Sequence, residues 1–267
     1  MGDELSKYTS GNIEYCNEEG VNLLMFYLYN SISPCPRVIM QLLLAGIDSQ
    51  WTDAYGQNCF LFAAKNYNIT PEALHVLAEA GAQTTLQNID KNTALHVTAC
   101  SANLFKKDRA IKVIDSMISY GIDVNSRNIY GESPLLVAAT YKYNSFPELA
   151  EHLLSLGANP NIMDNRGRTF ITIVRGKTKN KQVVRNALDM LVRYGFDLSL
   201  LDGEDMQPLS KRLIKNTIVR KNIASYNCFA KVLNDAMKRK LKVKKAQNMM
   251  RGFYADVAQY MGNDVQI

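Results

Sequence analysis

Chemically versatile side chains are scarce in this chain. Its 267 residues include three histidines, five cysteines and one tryptophan. Cys16, Cys35, Cys59, Cys100 and Cys228 are odd in number and far apart, and no two stand at metal-ligand spacing. Such usage suits free thiols in a reducing compartment. His75, His96 and His152 are scattered, and no local unit joins a Ser or Cys to a His as a nucleophile needs its base. Gly176-Lys177-Thr178 resembles the end of a phosphate-binding loop, but that loop needs a Gly where Ile171 stands. Hence no catalytic or metal-binding residue and no cofactor is assigned, and an enzyme is not expected. Long apolar runs are lacking too; none approaches the ~18 residues of a membrane span. The stretch Met1–Ser10 has no basic-then-apolar leader pattern. Gly2 and Ser6 fit the loose acylation pattern, but Asp3 and the lack of nearby basic residues speak against it.

What the chain does have is punctuation at a regular interval. A turn residue precedes a short apolar run, a second apolar stretch follows, and a Gly closes the unit. The clearest copy runs from Asn128-Ile129-Tyr130-Gly131 through Pro134-Leu135-Leu136-Val137-Ala138-Ala139 to Gly157. The place of Gly131 is taken elsewhere by Gly20, Gly56, Lys91, Gly167 and Asp205, at spacings of 36, 35, 40, 36 and 38. The closing glycines Gly46, Gly81, Gly121, Gly157 and Gly195 drift in step, at 35, 40, 36 and 38. A period of this size marks a stacked array whose units cannot bury their apolar faces alone. Within each unit, Pro134 and Pro208 stand where a helix begins, because the missing N–H is unneeded there. Leu149, Leu153, Leu154 and Leu156 continue a second helical face. A closing Gly then supplies the left-handed cap. The pattern therefore predicts helix, loop, helix, turn. The longest irregular stretches, at Ser31–Pro36, Tyr67–Pro71, Ala102–Asp108, Tyr141–Pro147 and Arg175–Gln182, fall between paired helices.

These residues resemble the ankyrin repeat. Its consensus of an Asp, then Gly-x-Thr-Pro-Leu-His-x-Ala-Ala, then Leu-Leu-x-x-Gly-Ala is echoed by Asn92-Thr93-Ala94-Leu95-His96-Val97-Thr98-Ala99. It is echoed again by Asp53-Ala54-Tyr55-Gly56 with Phe60–Ala64, and by Asp164-Asn165-Arg166-Gly167-Arg168-Thr169. The Thr-Pro-Leu-His tetrad is nowhere complete, and the period exceeds the family's usual ~33. The resemblance implies an all-α ankyrin-repeat solenoid over residues 17–224, of about six repeats with degenerate first and last copies. A cap segment at 1–16 and a basic helical extension with a helical cap at 225–267 flank it. It also implies that His96 hydrogen-bonds neighbouring turns, and that hairpin tips and the inner-helix face bind a partner protein. Carried over by position, the candidate contact residues are Tyr55, Gln57, Asp90, Asn92, Tyr130, Glu132, Arg166 and Arg168 at the tips and Tyr141 on an inner helix. Trp51, just before the Asp53 turn, joins them. Tyr, Trp and Arg are favoured interface anchors.

Charge divides the chain. Residues 1–210 carry 18 Lys/Arg against 22 Asp/Glu, whereas residues 211–251 carry 13 basic residues and one acid, Asp235. The densest run is Lys238, Arg239, Lys240, Lys242, Lys244 and Lys245, broken only by Leu241 and Val243. Such a run suits an import signal, nucleic acid or an anionic lipid surface, or is a solvated linker. On its flanks, Tyr226, Phe229, Leu233 and Met237, then Met249, Met250, Phe253 and Val257, recur at helical spacing. The last helix is read either as a cap or as a partner-binding face.

The expected function is thus a protein-interaction scaffold. Many ankyrin proteins of intracellular bacteria and poxviruses act on host machinery, and the 24 Asn and 18 Ile residues suit an AT-rich genome. A pathogen effector recruiting host proteins is one such reading, and the alternative is a nuclear or nucleic-acid-associated factor. Either is expected to be intracellular, in the cytoplasm or nucleus, of a host cell if an effector.

Overall fold

The computed structural model describes residues 15–101, 107–141, 147–197 and 200–201. They fall into two compact units, 1–173 and 174–267, whose border lies inside a helix. The sixth turn at Asp205 and the basic extension, with its six-residue charge cluster, lie outside the described residues.

Unit one is built of helix pairs. They are α1 (Leu23–Asn30) with α2 (Pro36–Leu44), α3 (Cys59–Lys65) with α4 (Pro71–Glu79), α5 (Ala94–Ser101) with α6 (Lys107–Ser119), and α7 (Pro134–Tyr141) with α8 (Pro147–Ser155). A further helix, α9 (Phe170–Lys177), begins in this unit. Inner helices stack in the order α1, α3, α5, α7, and outer helices in the order α2, α4, α6, α8. Among the described residues there are helices, turns and one isolated bridge between Cys16 and Asn22, but no strand. This is the expected all-α repeat architecture.

Sequence explains each element. Pro36, Pro71, Pro134 and Pro147 occupy first helical positions, where an absent N–H leaves nothing unsatisfied. Asn22 and Asn58 cap α1 and α3 by accepting from Met25 N at 2.9 Å and Leu61 N at 3.1 Å. Inner helices are enclosed on several sides, so apolar residues run round them; Cys59 through Ala64 are all buried. Outer helices are one-sided. In α4 only Ala73, Leu74 and Leu77 are buried, and α8 buries Leu149, Ala150, Leu153 and Leu154 while its charged side stays in water.

The closing glycines at 46, 81, 121, 157 and 195 all have positive φ, and so do Gly20, Gly56, Gly131 and Gly167 at the finger turns. The equivalent turn position in the third finger is filled by Lys91, at φ 58°, a conformation that a side chain makes costly. Polar ladders tie successive pairs together. Asn66 Nδ2 donates to Leu28 O at 2.7 Å and to Ser31 O at 2.8 Å, satisfying carbonyls at the preceding inner helix end. Thr93 N donates to His96 Nδ1 at 3.2 Å, so Nδ1 is an acceptor and Nε2–H donates to Glu132 O at 3.0 Å. His96 thus bridges to the following turn, as the resemblance implied.

In unit two, α10 (Lys181–Arg193) starts at Asn180, whose side chain accepts from Gln182 N at 2.9 Å. It buries Val184, Ala187, Leu188, Met190 and Leu191.

Candidate functional site: the finger row and its groove

The fingers are copies of one hydrogen-bonded unit. At its head stands Asn17, Asp53, Asn88, Asn128 or Asp164. In the last four, Oδ1 accepts from backbone N–H groups two and four residues on, at 2.7–3.0 Å. Asn17 does the same for Glu19 and Val21. Asp and Asn favour this turn because their short side chains place an acceptor within reach of the backbone two residues on. Neighbouring fingers are joined by single backbone bonds: Ala54 N to Glu19 O, Ile89 N to Tyr55 O, Ile129 N to Asp90 O and Asn165 N to Tyr130 O, at 2.8–3.0 Å.

This geometry sorts the candidate residues. The residue two places after the head projects into water: Tyr55, Tyr130 and Arg166 are exposed, and Asp90 is half-buried. The residue four places after it turns back toward the base. Gln57 is buried, and its Nε2 donates to Asp53 Oδ2 at 2.9 Å. Asn92 Oδ1 accepts from Asn128 Nδ2 at 3.1 Å. Arg168 Nε donates to Asp164 Oδ2 at 2.6 Å, and its Nη2 lies 3.7 Å from Glu132 Oε1. Here the side chain of Asp164 is 1% exposed and that of Glu132 10%, whereas Arg168 retains 35%. One guanidinium therefore serves two buried carboxylates. Burial pushes the Asp164 carboxyl up. The hydrogen bonds from Arg168 and Arg166, with the charge of Arg168, outweigh this and hold it below the usual carboxylate range.

Between the fingers and the inner helices lies an open groove of about 610 Å³. Gln57, Asn92, Tyr130, Glu132, Tyr141, Arg166 and Arg168 line it, so seven of the ten candidate contact residues converge there. Trp51, Tyr55 and Asp90 lie outside it. Trp51 Nε1 donates to Gly20 O at 2.7 Å, which ties the indole to the preceding finger. Sequence reasoning missed Asn88 and Val97 in the groove. Lys65 extends over the Phe62 ring at 4.4 Å and Tyr29 at 6.0 Å. Burial lowers its pKa, partly opposed by Asp53 and Glu19. Burial, then the nearness of Cys100, Glu132 and Tyr130, raises that of Tyr141, which stays a neutral phenol and a hydrogen-bond donor at neutral pH. Among the described residues no three His, Cys, Asp or Glu side chains converge to hold a metal ion. Nor is any described helix long and apolar enough to cross a membrane.

Comparison with known proteins agrees with this geometry. The family model of ankyrin repeats (three copies) matches residues 60–164. The chain is similar to an ankyrin repeat protein of Acanthamoeba polyphaga mimivirus, 28% identical over 118 residues, or 40% of this chain and 20% of that one. It is also similar to NF-kappa-B inhibitor delta of Mus musculus, 33% identical over 99 residues, or 37% of this chain and 28% of the relative. With an E3 ubiquitin-protein ligase of Arabidopsis thaliana it shares 30% identity over 122 residues, 45% of this chain but 7% of the ligase. The matched segments thus span less than a third of each of these relatives. Residues 60–164 are thus ankyrin repeats, and the four fingers that line the groove, headed by Asp53, Asn88, Asn128 and Asp164, fall within or next to that region. Ankyrin repeats generally mediate protein–protein interaction and form binding scaffolds.

Proposed function

We propose that this chain is a non-catalytic scaffold that holds a partner protein against the finger tips and the groove beneath them. The observation that carries the reading is the convergence of Tyr130, Tyr141 and Arg166, exposed and drawn from two fingers and an inner helix, along one groove. Aromatic and Arg side chains held on a rigid frame lose little entropy on contact and anchor interfaces. The similarity to a mimivirus protein and the Asn- and Ile-rich composition favour an effector setting, with the partner drawn from a host cell. The free thiols Cys16, Cys35, Cys59 and Cys100 suit an intracellular site of action. Affinity capture with the full chain, repeated with Tyr130→Ala/Arg166→Ala, is the test. Partner retention should fall by about 2 kcal/mol or more, with the melting curve unchanged. Equal capture by a folded double variant sinks the reading, and a turnover activity abolished by one side-chain change sinks its non-catalytic part.

A second reading rests on the 13 basic residues of segment 211–251. Lys238, Arg239, Lys240, Lys242, Lys244 and Lys245 would act there on a polyanion, nucleic acid or anionic lipid, or as an import signal. Replacing all six by Gln should abolish a steep salt dependence of DNA binding or nuclear accumulation. If neither exists in the unaltered chain, this reading is wrong.

A further inference from the structure

We infer that the groove selects an acidic segment of its partner, an extended peptide carrying Asp or Glu beside an aromatic or aliphatic anchor. The inference rests on the scaffold reading and names the ligand chemistry of the same surface.

The charges that line the groove are unequal in reach. Its two carboxylates, Asp164 and Glu132, are nearly shut off from water and are served by Arg168. Asp164 also accepts from the backbone N–H groups of Arg166 and Arg168, and Glu132 from Asn128 Nδ2 at 3.4 Å. Both are thus already engaged by donors of this chain. The cations are placed the other way. Arg166 is exposed at the fifth fingertip, and among the described residues its guanidinium has no hydrogen-bond or ion-pair partner. Lys65 stands near the other side, half-buried over aromatic rings. A groove with nearly balanced formal charge therefore presents a basic face to a visitor. Field lines of buried, compensated carboxylates stay local, whereas an exposed guanidinium both steers and binds an anion.

Between these cations the wall is apolar at its rim and amide-bearing at its floor. Tyr130 is 57% exposed and Tyr141 58%, with Ile129 alongside. Asn88, Asn92 and Asn128 line the same space. Aromatic faces fit an apolar anchor, and the neutral Tyr141 hydroxyl can donate to a carboxylate. A nucleic-acid backbone fits less well. Its evenly spaced phosphates call for a row of outward cations, and this groove offers exposed Arg166 and half-buried Lys65. A peptide can place its single carboxylate at Arg166 and its apolar side chain at the tyrosines.

The test is selection of a random linear peptide library, displayed on phage, against the immobilised full chain. Enrichment of Asp or Glu next to an aromatic or aliphatic residue is expected. Synthetic copies of the selected peptides should bind Arg166→Glu about tenfold or more weakly, and selection on that variant should swing toward Lys and Arg. Tyr141→Ala should weaken binding without changing the charge preference. Peptides that need Tyr130 and Tyr141 but show no acidic bias and ignore Arg166→Glu would overturn this inference and leave the scaffold reading intact. Peptides that bind equally to all the groove variants would overturn both. Displacement of the selected peptides by single-stranded oligothymidylate, lost in Arg166→Glu, would overturn it in favour of nucleic acid. Arg166 is a surface side chain, so a thermal melt matching the unaltered chain separates lost recognition from lost folding.

Discussion

Arg168 and Arg166 stand two residues apart on one finger, yet removing each should have opposite consequences. Arg168→Ala leaves the Asp164 carboxylate, 1% exposed, without the donor 2.6 Å from its Oδ2, and takes the nearest cation from Glu132. Breaking one side of a buried pair costs about 3–5 kcal/mol. The 35% exposure of Arg168 admits water to the vacated space, so we expect about 2 kcal/mol. Asp164→Asn in the Arg168→Ala background should recover at least half of that. Asn keeps the Oδ1 acceptor for the two backbone N–H groups, as Asn88 and Asn128 do in their own fingers, and removes the stranded charge. Arg166→Ala should change stability by less than about 0.5 kcal/mol. The assay is urea unfolding followed by circular dichroism, read as a midpoint shift at constant slope. The loss from Arg168→Ala should also shrink toward low pH. The depressed Asp164 pKa means its stabilisation is present above the ordinary carboxylate value of 3.8 and fades as pH falls through the folded value. A cost for Arg168→Ala as small as that for Arg166→Ala would refute the clamp.

Three further outcomes follow from the same geometry. Lys91→Gly should raise stability by about 0.5–1 kcal/mol, since an exposed side chain at φ 58° is exchanged for a residue at ease there; Gly131→Ala should lower it, because its Cβ would meet the Asn165 side chain at φ 74°, and both are read from chemical denaturation. His96 is held below its ordinary 6.5 by burial, against the raising effect of the Glu132 and Ser126 backbone. The unfolded chain therefore takes up a proton first as pH falls, so stability should decline from about pH 6.5 downward until the folded pKa is reached, and His96→Asn should flatten that part of the pH profile. The Cys59 thiol, pushed up to about 12 chiefly by burial, should resist alkylation of the native chain under conditions where exposed Cys35 reacts, as peptide mapping by mass spectrometry would show; equal labelling of the two would mean that the stack opens readily at α3.

Much of the scaffold was legible because its markers are backbone requirements. A Gly or Lys recurring at one turn position, a closing Gly, and a Pro at a helix start each report a local φ that the residue tolerates or favours. Those constraints do not depend on distant neighbours. The groove was half legible. Tip position picked out Tyr130 and Arg166, but adjacent turn residues look alike in sequence while their side chains diverge. Gln57, Glu132 and Arg168 turn inward because the head residue folds the chain onto its own carboxylate or amide. The partner that completes the clamp, Glu132 for Arg168, sits in the preceding repeat, 36 residues away. No pattern local to one unit could announce that.

The single backbone bond between consecutive fingers has an evolutionary corollary. Each of the three middle fingers offers one donor to the copy before it and one acceptor to the copy after it. A whole interval such as 88–127 can therefore be duplicated or excised in frame, and the new junction again meets a donor with an acceptor. No backbone group of the finger row is stranded by the splice, so array length is free to drift by recombination without that penalty in unsatisfied backbone. Such an event would still have to respect the side-chain ties between copies, such as His96 to the Glu132 carbonyl, Asn128 to Asn92 and the Glu132–Arg168 handshake, whose loss would leave one junction weaker than its siblings and mark where a copy had been cut.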